Sequence, residues 1–529
     1  MTLTTTLSEP QETVRVGQVR PLYLDLAVLL FPALAKLLLQ LFAIRGYGLN
    51  GDELYYLACS EHLDWGYVDQ PPLSIFLLWL ERAILGDSHF AIRLLPALAG
   101  TATVLMTGLL ARRLGAGRFG QLLAGICALV APLYLGVHHM FSMNAFDTLF
   151  WIAALYLFVC LLDDGRPRLW LWLGVVIGLG LENKISLLFL GFGLVVGLAL
   201  TSRRRLLLDP RAWLGALIAF LLLLPNIIWQ VVEGWPTLEF IHNAQTQKMV
   251  ELPPLLFLKE QFMLMHPLTA AVWVVGLAML LVHPSMRRFR SLGWCYLAIL
   301  ALFFLQKGKP YYLGPAYPIL FAAGACALER WFRSTWTRSV AVALLLATGA
   351  ATIPMALPVL PVDTYIRFSE ALGSRPASGE RFEEGKLPSF YANMFGWEKL
   401  TALVDSVYRT LPPEDRARCG IFGQNYMQAG AIDFYGRRFG LPRAMAGHNN
   451  YWLWGIEGHT AAAGHVQPKM VIVIGGSERR LREWFEEVEE RARFQDEYIQ
   501  PIHNNEPIFV VRKPKVPFAM LWPKVRFYI

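Results

Sequence analysis

The first long apolar segment reads LYLDLAVLLFPALAKLLLQLFAI (residues 22–44), and the polar segment NGDELYY (residues 50–56) begins shortly after it. An α-helix needs about 20 apolar residues to cross a bilayer, so the first segment is long enough to span one. The residues before it are polar and contain Arg15 and Arg20, and no small-residue cleavage site follows it. We therefore expect a retained span and not a removed signal peptide, with residues 1–20 as a cytoplasmic tail.

The composition extends this interpretation to the whole chain. Of its 529 residues, 55% are hydrophobic and 17% are charged, which is too apolar for a soluble enzyme of this size. The net charge of +8 could indicate a nucleic-acid partner. However, the basic residues lie between apolar runs and do not form one basic surface. We therefore expect a polytopic α-helical membrane protein that binds no nucleic acid.

Apolar runs alternate with arginine clusters along the first two thirds of the chain. The runs predict about eleven membrane spans, at residues 22–44, 89–111, 119–137, 145–162, 169–182, 185–201, 211–229, 264–283, 291–306, 311–328 and 338–357. The arginines fall in alternate connections, which the positive-inside rule places in the cytoplasm: Arg112, Arg113 and Arg118; Arg166 and Arg168; Arg203, Arg204, Arg205 and Arg211; Arg287, Arg288 and Arg290; Arg330, Arg333 and Arg338. An odd number of spans places the C-terminus outside, in the periplasm of a bacterial inner membrane.

The composition becomes mixed and more polar after Pro361. We divide the chain into a transmembrane catalytic domain (residues 21–359) with a first outer loop (46–88), and an extracytoplasmic α/β domain (360–529). In the loop we expect a short helix at Asp52–His62 and an interfacial helix at Pro71–Leu85. In the α/β domain the sequence predicts strands at Cys419–Gln424, Met470–Ile474 and Ile508–Arg512, and helices at Tyr426–Tyr435 and Arg479–Ala492.

Two further patterns have a functional and a structural interpretation. The Gly475-Gly476-Ser477 turn could cradle a phosphate, but a lone glycine pair is weak evidence, so we favour Ser477 as a helix cap. The six cysteines include no CxxC pair, which argues against a metal cluster or a disulfide framework. Cys59 and Cys419 could pair in an oxidising compartment. Because the spacing does not require contact, we favour two unrelated residues.

Two carboxylates, Asp52 and Glu53, stand at the start of the first outer helix. Asn50 and Glu53 have the spacing of a capping box, so we interpret Glu53 mainly as a cap. The helix N-terminus stabilises an ionised Asp52, which could orient or deprotonate an acceptor nucleophile. A third acid, Asp147, stands at the outer mouth of the fourth predicted span. A carboxylate there is usually functional or paired, so we include it with the site.

Cations also occur in outer connections, where the positive-inside rule disfavours them. Lys307 and Lys309 lie in the segment KGKPYYLGP (residues 307–315), and Lys184 lies between two spans. Ammonium groups and tyrosine hydroxyls can stabilise a leaving phosphate at the membrane surface. Side chains that simply reach towards ordinary lipid headgroups remain the alternative.

These motifs, taken in order, resemble the C-type superfamily of membrane glycosyltransferases. They are the acidic pair Asp52-Glu53, the segment DWGYVDQPPL (residues 64–73), Asp147, and the segment Lys307–Pro318. Within the superfamily the chain is most similar to protein O-mannosyltransferases and lipid A aminoarabinose transferases. The segment GHNNYWLWG (residues 447–455) resembles a bacterial branch of these enzymes.

The resemblance implies an inverting transfer from a polyprenyl-phosphate sugar to a lipid, glycan or protein acceptor outside the cytoplasm. It makes Asp52 the base, with Asp147 and Glu53 as further acidic candidates. It places Lys307, Lys309 and Tyr312 near the carrier phosphate. Further candidates for binding the donor are Lys184, Tyr311, Tyr67, Asp69 and Gln70. Relatives often carry Lys or His where Gln70 stands, which weakens phosphate binding from this loop; the three lysines would compensate. No cofactor is implied with certainty, and a divalent cation near Asp69 is compatible with the pattern.

A lipid-linked sugar flippase is the alternative from another class. It would also have many spans and intramembrane polar residues. Flippases and transporters, however, place ionisable groups near mid-membrane and often show repeated halves. Here the acids and lysines cluster at one surface, and no halves of the sequence match. The aromatic residues Tyr451, Trp452 and Trp454 are equally suited to guiding an acceptor or to packing in a core.

Overall fold

The computed structural model describes residues 23, 25–374, 381, 383–456 and 468–529. The predicted cytoplasmic tail, residues 1–20, lies outside the described residues. Within these described residues, the membrane domain contains sixteen α-helices. They are α1 (Leu26–Ala43), α2 (Gly51–Cys59), α3 (Leu73–Leu85), α4 (His89–Arg113), α5 (Arg118–Val130), α6 (Pro132–Val137), α7 (Met143–Asp164), α8 (Leu169–Leu181), α9 (Leu187–Ala199), α10 (Pro210–Val232), α11 (Pro236–Asn243), α12 (Pro254–Leu264), α13 (Ala270–Val282), α14 (Arg290–Leu305), α15 (Tyr317–Trp331) and α16 (Thr335–Thr352).

The long apolar helices coincide with predicted spans. Within the described residues, seven helices are long and apolar enough to cross a membrane, and an eighth span results if α12 and the helix that follows it count as one. That pair is bent by 101° between Leu264 and Pro267. The chain is therefore a multi-pass membrane protein with seven or eight candidate spans.

Three shorter apolar helices occupy the third, fifth and sixth predicted spans. They are α5, α8 and α9, each of 13 residues. At 1.5 Å per residue such a helix is about 20 Å long, less than the bilayer core of about 30 Å. The third predicted span breaks at Pro132, because the residue before a proline disfavours helical geometry and Ala131 is extended. A total of eleven spans therefore stays a prediction.

Helices α2 and α3 lie in the first outer loop, residues 46–88, which we call the lip. The helix expected at Asp52–His62 is α2, which ends at Cys59, and the helix expected at Pro71–Leu85 is α3. Helix α3 has 13 residues, and its side chains Phe76, Trp79 and Ile84 are exposed. An apolar face of this kind suits a helix that lies along the membrane interface.

A mixed five-stranded sheet with surrounding helices follows the last span. The strand order is β2-β1-β3-β5-β4, in which β2, β1 and β3 are parallel and β5 and β4 are antiparallel to their neighbours. The strands are β1 (Cys419–Gly423), β2 (Ala444–Ala446), β3 (Met470–Ile474), β4 (Phe485–Phe494) and β5 (Glu506–Pro514). The helices are α17 (Val362–Ala371), α18 (Ser389–Ala392), α19 (Trp397–Thr410), α20 (Pro413–Arg416), α21 (Tyr426–Tyr435), α22 (Asn450–Trp454), α23 (Glu478–Trp484) and α24 (Phe518–Leu521).

The three predicted strands and the helix at Tyr426–Tyr435 are confirmed, but the helix predicted at 479–492 is half wrong. It ends at Trp484, and Phe485–Phe494 forms β4 along β5. Phe485 and Val488 are buried and stand three residues apart, which imitates a helical pattern. Pairing with β5 instead completes the sheet and leaves the glutamates of β4 exposed at its edge, where charge discourages further pairing.

Two structural interpretations of the sequence are confirmed: Ser477 is a helix cap, and Cys59 and Cys419 are not paired. The Ser477 side chain accepts a hydrogen bond from the Arg480 backbone N–H and so caps α23. Cys59 and Cys419 are both buried free thiols.

The α/β domain that follows residue 359, which we call the soluble domain, packs directly on the lip. One hydrophobic core joins side chains of α2 and α3 to the inner face of the sheet, for example Leu54, Ile421 and Ile472. Helix α21 approaches α2 so closely that a Cβ atom on Gly430 would lie 2.8 Å from the Leu54 carbonyl carbon. A glycine at this position therefore permits the contact between the two domains.

Candidate active site

The N-terminus of α2 is organised by the predicted capping box. The Asn50 side chain accepts a hydrogen bond from the Asp52 backbone N–H at 2.9 Å, and Glu53 Oε2 accepts one from the Asn50 N–H at 2.9 Å. These contacts satisfy backbone donors that a helix start otherwise leaves unpaired. Asp52 is consequently held at a fixed position in the first turn.

Glu53 has a larger structural role than a cap alone. Its carboxylate forms an ion pair with Arg93 of α4, with distances of 2.6 Å to Nη2 and 2.9 Å to Nε. It also accepts a hydrogen bond from the Phe141 N–H at 2.9 Å. The side chains of Glu53 and Arg93 are 0% and 1% exposed. Glu53 thus points into the protein and is fully paired with internal partners.

Asp52 is half-buried, and its oxygens face a different set of residues. Tyr426, the first residue of α21, donates a hydrogen bond from its hydroxyl group to Asp52 Oδ1 at 3.0 Å. The charge of Asp52 also acts on Asp69 of the outer loop, so the two carboxylates lie near each other. The base candidate therefore sits between the membrane domain and the soluble domain.

Asp69 is the second acid beside Asp52. It accepts a hydrogen bond from the Tyr55 hydroxyl at 2.9 Å. Burial, with a smaller contribution from the charge of Asp52, raises the pKa of Asp69 to about 6, although the Tyr55 hydrogen bond and Lys248 oppose the shift. Tyr55 in turn contacts Asn450 Oδ1 at 3.1 Å, and this same oxygen accepts a hydrogen bond from the Val68 N–H at 2.7 Å.

Asp147 and Lys184 form a second polar cluster. Lys184 Nζ lies 3.4 Å from Asp147 Oδ2 and donates a hydrogen bond to Asn144 Oδ1 at 2.7 Å. Ser186 donates a further hydrogen bond to Asp147. The Lys184 ammonium group also lies 5.2 Å from the Tyr312 ring centre and 5.8 Å from that of Tyr311. Four of the predicted residues, Asp147, Lys184, Tyr311 and Tyr312, are therefore brought together.

Direct contacts join the predicted outer connections to one another. The Leu73 N–H, after the double proline, donates to the Glu182 carbonyl at 2.8 Å. The Met143 N–H donates to the Tyr56 hydroxyl at 3.3 Å, linking the start of α7 to α2. Through these contacts, the Asp52 region and the Lys184 cluster lie at the same end of the helix bundle.

The remaining predicted donor-site residues are more scattered. Lys307 is exposed and pairs with Glu251 at 2.6 Å, apart from the Lys184 cluster, while Lys309 is half-buried before the turn Pro310–Ala316. Tyr67 is buried, and its hydroxyl donates to the His62 carbonyl at 3.0 Å. Gln70 is buried as well, and its carbonyl accepts the Tyr67 N–H at 3.0 Å. Tyr67 and Gln70 thus shape the loop.

The sequence did not predict three residues that lie near the carboxylates: Lys248, Tyr426 and Asn450. Lys248 acts electrostatically on Asp69 and on His448. Each of the three lies far along the chain from Asp52. Lys248 ends the short helical turn after α11, whereas Tyr426 and Asn450 reach the carboxylates because the soluble domain packs on the lip. A signal existed for Asn450, which stands in the segment resembling a bacterial enzyme branch.

The aromatic segment around Asn450 is a helical turn and not a loop. It forms α22, in which Tyr451 is buried and donates a hydrogen bond to Asp433 Oδ2 at 2.7 Å. Trp454 stacks on His62 of the lip with ring centres 4.3 Å apart. Trp452, in contrast, packs on Tyr528 and donates a hydrogen bond to the Trp522 carbonyl at 3.1 Å, both within the soluble domain. The stacking of Trp454 on His62 therefore helps to hold the soluble domain against the lip.

A metal centre has no support in the described part of the chain. There, no three His, Cys, Asp or Glu side chains lie close enough together to hold a metal ion. Asp69 Oδ1 accepts its hydrogen bond from the Tyr55 hydroxyl. The divalent cation considered near Asp69 therefore lacks a ligand set, and no chemical step is assigned to it.

Comparison with known proteins adds an independent line of observation. The sequence model of a family described as dolichyl-phosphate-mannose-protein mannosyltransferase matches residues 69–229. Two crystal structures of ArnT from Cupriavidus metallidurans match over 92% of this chain and 97% of ArnT, at 16% identity. The TM-scores are 0.59 for the apo state and 0.58 for ArnT bound to undecaprenyl phosphate. These matches establish a common fold.

More distant proteins add little. An oligosaccharyltransferase from Archaeoglobus fulgidus, in complex with Zn and sulfate, matches with a TM-score of 0.47 and 14% identity over 84% of this chain and 67% of its own. No curated protein matches the chain by sequence.

The buried ion pair between Glu53 and Arg93 predicts that substitution of Glu53 lowers thermal stability, whereas substitution of the adjacent Asp52 does not. Glu53→Gln leaves Arg93 as an unpaired buried charge, which costs about 3–5 kcal/mol. Thermal unfolding in detergent should therefore occur at a clearly lower temperature. Asp52→Asn should leave the unfolding temperature nearly unchanged. Glu251→Gln is the matched control, because it breaks an exposed pair with Lys307 that is worth about 0–1 kcal/mol. Equal unfolding temperatures for Glu53→Gln and Glu251→Gln would refute the structural role of Glu53.

Proposed function

We propose that this chain is a polyprenyl-phosphate-dependent membrane glycosyltransferase of the C-type superfamily, and that it moves a sugar with inversion onto an acceptor outside the cytoplasm. The observation that carries this proposal is the arrangement of charge at one end of the bundle. A carboxylate fixed in the first turn of α2 shares that end with the ammonium group of Lys184. A base and a phosphate-binding cation are the two parts that such a transfer requires.

Asp52 is the base of the proposed reaction. A hydroxyl or amine of the acceptor attacks the anomeric carbon from the face opposite the phosphate, and a new bond from the acceptor to that carbon forms. The bond between the anomeric carbon and the phosphate oxygen breaks, and its electron pair leaves with the polyprenyl phosphate. Asp52 takes the proton that the acceptor loses. Attack opposite the leaving group inverts the configuration at the anomeric carbon.

Lys184 binds the carrier phosphate together with Lys309 and Tyr312. The negative charge on the phosphate grows as the glycosidic bond breaks, so ammonium and phenol groups held at that place stabilise the transition state. Asp147 and Asn144 fix the Lys184 ammonium group by direct contact. Lys307 contributes less, because Glu251 already neutralises it in an exposed position.

The membrane orientation follows from charge. The arginine-rich connections at the opposite end of the spans favour the cytoplasm, which places the site and the soluble domain outside a bacterial inner membrane. A lipid-linked donor then reaches the site sideways from the bilayer. The acceptor is a lipid, glycan or protein on that side.

Loss of the base should abolish transfer. Asp52→Asn keeps the size of the side chain and removes its capacity to take a proton, so transfer should fall by at least about a hundredfold. Radiolabelled polyprenyl-phosphate sugar, offered in proteoliposomes with cell-envelope acceptors, measures it. Asp363→Asn, an exposed acid of the soluble domain, is the control and should retain activity.

Two outcomes would contradict this proposal. Undiminished transfer by Asp52→Asn would exclude Asp52 as the base. Sugar that crosses the membrane without covalent transfer to any acceptor would favour a flippase.

Removal of the Lys184 charge should weaken donor binding. Lys184→Gln should raise the KM for the donor about tenfold or more, as expected for a charged phosphate contact. The double variant Lys184→Gln with Asp147→Asn removes both charges, so that no buried carboxylate is left unpaired. Lys386→Gln, at an exposed pair with Glu497, is the control. A folded double variant that binds the donor like the wild type would show that the phosphate lies elsewhere.

A further inference from the structure

Tyr426 connects the soluble domain directly to Asp52, the base candidate. Tyr426 begins α21, and its hydroxyl group donates to Asp52 Oδ1 at 3.0 Å across 374 residues of sequence. The first turns of α2 and α21 meet at this contact. Asp52 thus receives a hydrogen bond from a domain that is separate from the membrane helices.

Tyr426 is held firmly in place. The Asn425 side chain caps α21 by accepting hydrogen bonds from the Met427 and Gln428 N–H groups, each at 3.0 Å. The Tyr426 ring lies between the rings of Tyr55 and His448, with distances between ring centres of 4.6 Å and 4.5 Å. The ring is fixed from both domains, so the hydroxyl position depends on their docking.

His448, which packs on the Tyr426 ring, is also held in place. His448 Nε2 lies 2.9 Å from the Ile529 carbonyl, and the His448 ring packs on Phe527. Burial lowers the pKa of His448 to about 3, with a further contribution from Lys248, so the ring is neutral at physiological pH. A neutral His448 ring adds no charge beside the Tyr426 hydroxyl, which donates its hydrogen bond to Asp52.

We propose that Tyr426 is a positioning residue for Asp52, so that docking of the soluble domain completes the active site of the membrane domain. This inference rests on the proposed function, in which Asp52 is the base. The hydrogen bond fixes the orientation of the carboxylate and stabilises its ionised form. The phenol keeps its own proton, and the acceptor proton goes to Asp52.

The pH dependence of this arrangement involves several neighbouring groups. Asp69 and Tyr56 face Asp52, Lys248 faces Asp69, and Tyr426 approaches from α21. The like charge of Asp69 favours protonation of Asp52, whereas the Tyr426 hydrogen bond opposes it. Loss of the phenol should therefore make Asp52 take up a proton at higher pH.

The test uses Tyr426→Phe in the full-length protein. Tyr408→Phe is the matched control, because both tyrosines are 8% exposed in the soluble domain, and the Tyr408 hydroxyl donates to the Arg416 carbonyl and not to a carboxylate. The acid limb of the pH profile of kcat/KM should move up by about one pH unit in Tyr426→Phe, as expected for a lost hydrogen bond to a charged group. It should not move in Tyr408→Phe.

A second readout does not depend on turnover. A hydrophobic carbodiimide reacts with protonated carboxyl groups, and peptide mapping by mass spectrometry separates labelled Asp52 from labelled Asp69. The pH of half-labelling of Asp52 should rise by about one unit in Tyr426→Phe relative to both the wild type and Tyr408→Phe.

The outcomes separate this inference from the proposed function. Unchanged half-labelling of Asp52 in a folded Tyr426→Phe variant would overturn the positioning role, even if the wild type transfers sugar. A wild type that transfers no sugar would overturn the proposed function, while a shifted half-labelling pH would still support the contact as the group that keeps Asp52 ionised.

Discussion

The buried carboxylate of Glu53 connects the three parts of the membrane domain that the site requires. It closes the cap of α2, pairs with Arg93 on α4, and accepts a hydrogen bond from Phe141 just before α7. A charge in an apolar interior is tolerated only when it is fully paired, so these contacts must form together. Because Glu53 fixes the direction of α2, the neighbouring Asp52 is left at the edge of the bundle with a defined orientation.

The lipid nature of the proposed donor accounts for where the polar residues lie. A polyprenyl chain stays in the bilayer, so its phosphate can reach only residues at the membrane surface. Lys184 and Asp147 meet where α7 and α9 begin, so that the ion pair leaves neither charge unpaired at this end of the bundle. The soluble domain covers the same end and brings Tyr426 and Asn450 to the lip. Donor and acceptor would thus meet at the junction of two domains.

Local patterns predicted much of this arrangement. Apolar length located the spans, and the spacing of Asn50 and Glu53 revealed the capping box, because both signals arise within a few turns of sequence. The structure brings together Asp147, Lys184, Tyr311 and Tyr312, which the sequence had singled out, while their role at the carrier phosphate stays a prediction. What the sequence could not indicate were partners set by tertiary packing. Arg93 lies forty residues from Glu53, and Tyr426 is separated from Asp52 by 374. Lys307 matched the motif, yet it pairs with Glu251 in the structure.

The most direct test of the central claim is an experimental structure of the Asp52→Asn variant with an intact polyprenyl-phosphate sugar. This variant should bind the donor without consuming it. We expect the phosphate within hydrogen-bond distance of the Lys184 or Lys309 ammonium group, with the anomeric carbon turned towards the side chain at position 52. A donor phosphate remote from both lysines, or a sugar that faces away from position 52, would contradict the account.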